Sequence, residues 1–527
     1  MTDYEARLRE VEREIIARRP EHSIEPSLDR IKALTSLLGD PQRAYPVIHI
    51  TGTNGKTSTA RMTETLLRAR GLRTGLFTSP HLTSIRERIC VDGEPLSAER
   101  FVEAYEEVQP YLALVDESQP AALSFFEVLT AMAFAVFADA PVDVAVIEVG
   151  VGGTWDCTNV ADGAVAVITP ISIDHVRYLG NTVTAIATDK AGIIKPGAVA
   201  VLAQQPVEAA EVLLRRVAEV GATVAREGIE FGVTSRQLAV GGQLLSVRGL
   251  LGYYEDLFLP LFGAYQAGNA ACALAAVEAF AGASATGEQD GSPDEPAALD
   301  DALVRGAFRI MSSPGRLEIV RRSPVTIVDA AHNPAGMAAT VAALDEAFAA
   351  TDLIAILAVS EDKDVPAILD ELEPVVSELV VTANSSPRSA DPAKLAELAS
   401  AVFGPDRVRA VARLDDAIEL GVGLADEADA GSADGGPPGT AVLLITGSVI
   451  TAGDARLLLT RATPGQPAPG PAGTAHDEAG DDSVDELGDE FGDDLGDDSG
   501  DDVGDDLGDE LSDHIGDASG DDLGDEA

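Results

Sequence analysis

Lys56 and Thr57 follow a glycine-rich turn, Gly52-Thr53-Asn54-Gly55, which itself ends the apolar run Val47-Ile48-His49-Ile50-Thr51. That combination suits a nucleoside triphosphate. The glycines let the backbone fold tightly, so that successive N–H groups converge on phosphate oxygens. Lys56 supplies a cation for the β- and γ-phosphates, and the Thr57 hydroxyl is a hard ligand for Mg²⁺. Residues 59–70 alternate apolar and polar positions at helical spacing, which sets a helix N-terminus against the phosphates. The nucleotide contacts expected here are Thr53, Asn54, Gly55, Lys56 and Thr57. One position departs from the general phosphate-loop pattern: Ile50 stands where a glycine is usual.

Further groups lie where strands should end. Glu148 closes the buried-strand sequence Val142–Gly150, and ligands of open α/β sheets sit at the carboxyl ends of strands. A carboxylate there, beside a phosphate loop, is a candidate Mg²⁺ ligand. Gly150, Gly152 and Gly153 then form a turn that carries Trp155, Asp156 and Asn159. The run Ala164–Thr169 leads to Asp174-His175, in a chain with only seven histidines. Lys190 follows in Thr188–Lys195, one of six lysines against 31 arginines.

Elements that could position these groups alternate along the chain. Strands are expected at 46–51, 73–78, 143–149, 164–169 and 198–203, with helices between most of them, and again near 325–329, 353–359, 377–382 and 441–446. That order argues for parallel sheets covered by helices, an α/β fold. Polar, Gly/Pro-rich loops are expected at 282–300 and from Asp426 to Pro438. From Leu487 the chain repeats tetrads such as Leu-Gly-Asp-Glu. Glycine every fourth residue and like-charge repulsion make a disordered tail the expectation.

Composition narrows the class. The 527 residues hold 88 acidic and 37 basic side chains, and Asp477–Ala527 alone holds 24 acids and no Lys or Arg. The remainder keeps a net charge of −27, which disfavours nucleic acid or an anionic membrane as partner. An acidic, lysine-poor surface suits molar salt, where the Debye length falls to about 3 Å. Three scattered cysteines form neither a disulfide framework nor a zinc pattern. With no signal peptide or spanning segment evident, a reducing cytoplasm is expected.

The motifs, taken in order, resemble the folylpolyglutamate synthase/dihydrofolate synthase family of the Mur ligase superfamily. The resemblance runs from about Ser27 to Arg456. It rests on Ser27-Leu28-Asp29-Arg30, Thr78-Ser79-Pro80-His81-Leu82, Ser124-Phe125-Phe126-Glu127 and Glu148-Val149-Gly150-Val151-Gly152-Gly153. Asp156-Cys157-Thr158-Asn159, Asp174-His175 and Asp189-Lys190-Ala191-Gly192 follow. Gln266, Asn269, Pro314-Gly315-Arg316, Asp329-Ala330-Ala331-His332-Asn333-Pro334, Asp362-Lys363-Asp364 and Thr446-Gly447-Ser448 complete it.

The resemblance implies an ATP-dependent ligase that adds glutamate to a pteroate or folate carboxylate through an acyl phosphate. It implies an ATP- and folate-binding domain over 1–308 with a P-loop-type parallel sheet and a Rossmann-like glutamate ligase domain over 309–462. The acidic tail then covers 463–527. Mg²⁺ would fall on Thr57, Ser79, Glu148 and His175. Arg316, Asp329 and Asn269 would hold the nucleotide, and Ser124, Phe125, Phe126, Glu127 and Asp156 the pterin. Lys190 matches a lysine carried as a carbamate, His332 is a candidate base, and the family is commonly monomeric. Two departures touch the site: Lys56-Thr57-Ser58 is closer to the peptidoglycan Mur enzymes, and Thr154-Trp155 replaces an Arg-Leu pair. The competing readings are a Mur-type amino-acid ligase on another carboxylate and a non-catalytic acidic binding protein.

Overall fold

The computed structural model describes residues 3–20, 25–285, 298–348, 350–431 and 441–461. The expected tail, 463–527, lies outside these residues, as do 286–297 of the first expected loop and 432–438 of the second. Among the described residues no helix is long and apolar enough to cross a membrane.

The first sheet contains β1 (Val47–Thr51), β2 (Thr74–Phe77), β3 (Ile89–Val91), β4 (Glu94–Pro95), β5 (Val144–Glu148), β6 (Gly163–Ile168), β7 (Val199–Leu202) and β8 (Thr223–Arg226). Its order is β4-β3-β2-β5-β1-β6-β7-β8. The run from β2 to β8 is parallel, and β3 and β4 add an antiparallel edge. Both faces are covered, so the central strands read as continuous apolar runs. Ile48, Ile50, Val144 and Val146 face one core, beneath the helices Lys56–Ala69 and Ala264–Ala285. Val47, Ala145 and Ile147 face the other, with the helices Ala98–Ser118 and Phe125–Asp139. This two-residue alternation follows from the pleat.

β1 lies between β5 and β6, and the chain leaves β1 toward β2 but leaves β5 toward β6. The crevice where these connections diverge is the switch point at which such sheets take ligands. Three loops open into it: 52–55, 149–153 and 169–175.

β9 (Gly232–Ala239), β10 (Gly242–Arg248) and β11 (Tyr253–Leu259) form a separate antiparallel sheet packed on the first core. The second α/β sheet holds β12 (Glu318–Arg322), β13 (Val325–Val328), β14 (Asp352–Leu357), β15 (Glu378–Val381), β16 (Val408–Ala410) and β17 (Ala441–Thr446). Its order is β12-β13-β17-β14-β15-β16, parallel except for β12. The helix Leu414–Gly431 runs through the beginning of the loop expected from Asp426. Ala425-Asp-Glu-Ala-Asp-Ala430 is rich enough in helix formers to continue it.

Candidate active site

Gly52 and Gly55 are required by contacts as well as by backbone angles. Their φ values are 153° and 86°. A Cβ on Gly52 would stand 1.8 Å from Thr169 Oγ1, and one on Gly55 2.4 Å from Asn269 Oδ1. Ile50 is harmless for the same reason: it lies inside β1 in the core, and the turn begins at Gly52. Thr53 pins the loop, its hydroxyl donating to the Ser172 carbonyl (3.0 Å) and its N–H to that of Pro170 (3.0 Å). Asn269 is buried and takes its own orientation from Gln266 (3.1 Å).

Lys56 opens the following helix and turns back onto the carbonyls of Gly52 (3.2 Å) and Thr53 (3.1 Å). Burial lowers its pKa, opposed by the charges of Glu148 and Asp174. The Thr57 hydroxyl lies 2.9 and 3.1 Å from the two Glu148 oxygens, and the Ser79 N–H donates to Glu148 Oε2 (3.1 Å). Glu148 is 1% exposed, and burial raises its pKa. A buried carboxylate with no ion-pair partner among the described residues, flanked by a hydroxyl, is a hard oxygen set of the kind Mg²⁺ takes. His175, the fourth expected ligand, is turned instead toward Asp174, with Nε2 3.9 Å from Oδ2. Its φ of 50° is left-handed, and burial lowers its pKa to about 4.

Lys190 is buried, and its ammonium donates to the Gly52 carbonyl at 2.7 Å. Burial first, then the charge of Lys56, brings its pKa down to about 7. A lysine amine that is substantially neutral near pH 7 is a nucleophile rather than a fixed cation.

Asp174 joins the two sheets. Its Oδ1 accepts from Lys363 Nζ at 2.7 Å, and its Oδ2 accepts from Asn333 Nδ2 at 3.1 Å with His332 Nε2 3.5 Å away. These partners hold its pKa far below the carboxylate range despite burial. Asn333 also exchanges amide hydrogen bonds with Asn54 (3.1 and 3.3 Å), tying the phosphate loop to the second sheet. His332 Nδ1 donates to the Ala330 carbonyl at 2.9 Å, leaving Nε2 toward the cleft and Asp174. Asp329, expected at the nucleotide, spends its carboxylate on protein: it accepts from Leu317 N, Ala331 N and Thr340 Oγ1 (2.8–2.9 Å). It thereby sets the turn that presents Arg316.

A second cleft opens beyond Glu148, lined by Ser27, Arg30, Ser124, Phe126, Glu127, Gly150, Trp155 and Asp156 among others. Ser124 and Glu127 form a capping box on the helix Phe125–Asp139, and Glu127 also pairs with Arg30 at 2.9 Å. Phe125 does not line this cleft. One residue from Phe126 is a rotation of about 100° around a helix, and its ring lies under the Arg88 guanidinium instead, 5.0 Å away. Asp156 accepts from Val151 N (3.0 Å), Thr158 N (2.9 Å) and Thr158 Oγ1 (2.5 Å). Behind Thr158 stands His49, wholly buried on β1, with Nε2 2.9 Å from that hydroxyl. Burial lowers the His49 pKa to about 3.

Asp174, Asn333, Lys363 and His49 had no assigned role in the sequence reading. For Lys363 a signal existed, its rarity as a lysine. Asn333 lay within the motif Asp329–Pro334, whereas His49 had no signal, because its partner Thr158 is distant in sequence.

Two family models match the chain, the Mur ligase middle domain over residues 50–277 and the Mur ligase glutamate ligase domain over 315–447. The dihydrofolate synthase/folylpolyglutamate synthase of Mycobacterium tuberculosis is 51% identical over 473 residues, 86% of this chain and 94% of that protein. The folylpolyglutamate synthase of Lacticaseibacillus casei is 36% identical over 68% of this chain and 82% of its own. Among solved structures, the M. tuberculosis folylpolyglutamate synthase complexed with ADP superposes with a TM-score of 0.81 at 51% identity, covering 87% of this chain and 99% of that one. An FPGS–AMPPCP–folate complex gives 0.70 at 31% identity over 86% and 100%. With a 51% identical relative matched over nearly its whole length, both Mur ligase models in order, and the phosphate loop and Glu148 meeting at the switch point, this chain belongs to the folylpolyglutamate synthase/dihydrofolate synthase family.

Proposed function

We propose that this enzyme joins L-glutamate to dihydropteroate, to folate polyglutamates, or to both, converting ATP to ADP and phosphate. The observation that carries this reading is the continuity of the two clefts. Glu148, held by Thr57 beside the phosphate loop, is followed at once by Gly150, which lines the cleft containing Asp156. A pterin held at Asp156 and Phe126 therefore directs its carboxylate toward the γ-phosphate. The fused ring would lie against Phe126 and Trp155, and Asp156, oriented by Thr158 and His49, would accept its N–H groups.

In the first step a carboxylate oxygen of the substrate attacks the γ-phosphorus, and the bond to the ADP oxygen breaks. Lys56 leaves the Gly52 and Thr53 carbonyls for the phosphates and neutralises charge there, while the 52–55 amides position them. Mg²⁺ on Thr57, Ser79 and Glu148, with His175 adjoining, would supply further charge neutralisation at the phosphate oxygens. The glutamate amine then attacks the acyl carbon, and phosphate leaves. His332 Nε2 takes the amine proton, a role supported by Asp174 Oδ2 3.5 Å away, which stabilises the imidazolium so formed. Asn269 and Arg316 hold the nucleotide, with Asp329 fixing the Arg316 turn. Lys190 acts as a carbamate, an anion beside the metal site. Residues 1–308 form the ATP and folate half and 309–462 the half that closes on it. The enzyme works as a cytoplasmic monomer on small molecules, without nucleic acid or membrane.

The test is product mass after incubation with ATP, glutamate and either dihydropteroate or tetrahydrofolate. Addition of one glutamyl unit per ADP released is expected, abolished by Lys56→Ala in a folded protein. ADP release without a glutamylated product, or full activity of Lys56→Ala, would refute the assignment.

A further inference from the structure

The antiparallel sheet β9–β11 lends no residue to the pterin cleft or the phosphate loop, yet its edge strand reaches the second half of the molecule. Arg236 on β9 donates from Nε to Gln243 Oε1 on β10 (2.6 Å), and its two terminal nitrogens donate to the two Glu346 oxygens. Glu346 is the last residue but one of the helix Pro334–Ala347. All three nitrogens of one guanidinium are thus committed, and the bidentate half of that pairing fixes direction as well as distance. Arg236 in turn holds the Glu346 carboxyl below its ordinary pKa.

The arginine is itself held from behind. Gln243 is 1% exposed, and its amide nitrogen donates to the carbonyls of Leu261 (2.8 Å) and Gly263 (3.1 Å). Those carbonyls belong to a segment that packs on the same helix end. The Phe262 and Phe348 rings stand 4.9 Å apart, tilted by 56°, and a Cβ on Gly263 would come within 2.9 Å of Ala343 Cβ. An ion pair, a buried amide and an aromatic pair therefore converge on one end of this helix. The other end is at the chemistry. Asn333 caps it, Oδ1 accepting from Gly336 N (2.8 Å), while Nδ2 donates to Asn54 and Asp174, and His332 immediately precedes it. Fourteen residues rising 1.5 Å each put about 21 Å between the two ends.

Met337, Ala343 and Leu344 bury the helix in the second core, so it moves with the second sheet as one close-packed body. Contacts gathered at one place locate such a body without fixing its direction; a support well separated along the helix fixes both. The contacts at the cleft are polar loops that must also admit substrates, so the direction rests on the far end. We propose, on the basis of the ligase reading above, that Arg236 is a positioning residue: with Gln243 and Glu346 it seats the far end of the helix Pro334–Ala347 and thereby aims His332 and Asn333 at the attacking amine and the phosphate loop. The antiparallel sheet is then the bracket that carries this seat.

The experiment is steady-state kinetics of the full chain at fixed KCl, with Arg236→Ala, Arg236→Lys, Glu346→Ala and the double variant Arg236→Ala/Glu346→Ala. Assays run well below the melting temperature of each protein, so that every variant is folded. Loss of the bidentate pair should lower kcat by about 3- to 10-fold in Arg236→Ala. The KM for the pteroate should stay parental, because that cleft is built from the first half alone. Arg236→Lys, which keeps the charge without the fork, should fall between Arg236→Ala and the parent. Because the two residues act as a pair, the double variant should be no slower than the slower single one. A parental kcat in the folded variants, with only the melting temperature lowered, would make the pair a stability contact and overturn the proposal. So would losses that multiply in the double variant, or a loss carried by the pteroate KM instead of kcat. A parent enzyme that forms no glutamylated product would overturn both readings; a parent that forms it, with kcat untouched in the variants, overturns this one alone.

Discussion

At Lys190 burial and function pull in opposite directions. An ammonium enclosed with the Gly52 carbonyl as its one hydrogen-bond partner among the described residues, and with Lys56 nearby, is costly, and its pKa of about 7 reflects that cost. In the unfolded chain the same group titrates near 10.5. Between those values the unfolded state binds the extra proton, so the plain amine makes stability rise with pH from 7 toward 10.5, by up to about 1.4 kcal/mol per pH unit. Carbamate formation would remove the buried cation: the neutral amine would add CO₂, release a proton, and leave an anion. Bicarbonate should therefore raise stability throughout pH 7.5 to 10 relative to CO₂-free buffer, with the upward slope kept in both, because the unfolded lysine still takes up its proton. Activity should depend on bicarbonate, and Lys190→Ala should be nearly inactive with partial recovery on adding a short carboxylic acid. Equal stability in the two buffers, with no bicarbonate effect on activity, would leave Lys190 a free amine.

At the scale of elements, the central strands were legible because burial on both faces writes an unbroken apolar run. β1, β2, β5, β6 and β7 lie within a residue or two of their expected bounds. The antiparallel sheet was not legible: much of β9 faces solvent, and Thr234, Ser235 and Gln237 leave no apolar period to read. The phosphate loop and Glu148 were legible since each is local, whereas the Asp174 cluster is assembled from loops 159 to 189 residues apart. Phe125 shows the remaining difficulty: a motif names neighbouring residues, but helical rotation decides which of them faces the cleft. The Asp174 cluster has an energetic consequence. Lys363 and Asp174 are each about one-tenth exposed, so Asp174→Ala leaves a buried ammonium unpaired at a cost of about 3–5 kcal/mol. The variant should melt well below the parent and lose activity. Lys363→Met in the same background should recover much of the melting temperature but not the activity, because the bridge from the 169–175 loop to Lys363 and Asn333 is still missing. An Asp174→Ala enzyme as stable as the parent would show that the two sheets meet without this ion pair.

For the whole molecule, charge sets a condition that no single pair satisfies. Residues 1–476 carry a net −27, and some surface arginines meet several acids at once. Arg7 meets Glu10, Glu14 and Glu106, and Arg100 meets Glu103, Glu107 and Asp139. Exposed pairs of this kind contribute about 0–1 kcal/mol each, and the surplus carboxylates around each arginine repel one another. Screening acts on the two terms unequally. The attractive contacts are short and partly desolvated, while the repulsion is summed over distances beyond the Debye length, which shrinks from about 10 Å at 0.1 M salt to about 3 Å at 1 M. Salt should therefore stabilise the fold, opposite to the effect expected of a protein held by surface ion pairs. The melting temperature of the full chain in KCl should rise from 0.05 to 1 M, steeply at first and then level off as screening saturates. Deleting residues 463–527, which removes the 24 acids of Asp477–Ala527, should weaken that dependence without abolishing it, because residues 1–462 keep their own surplus. A melting temperature that is flat or falls with KCl in both proteins would mean that local pairing, not net charge, governs stability here.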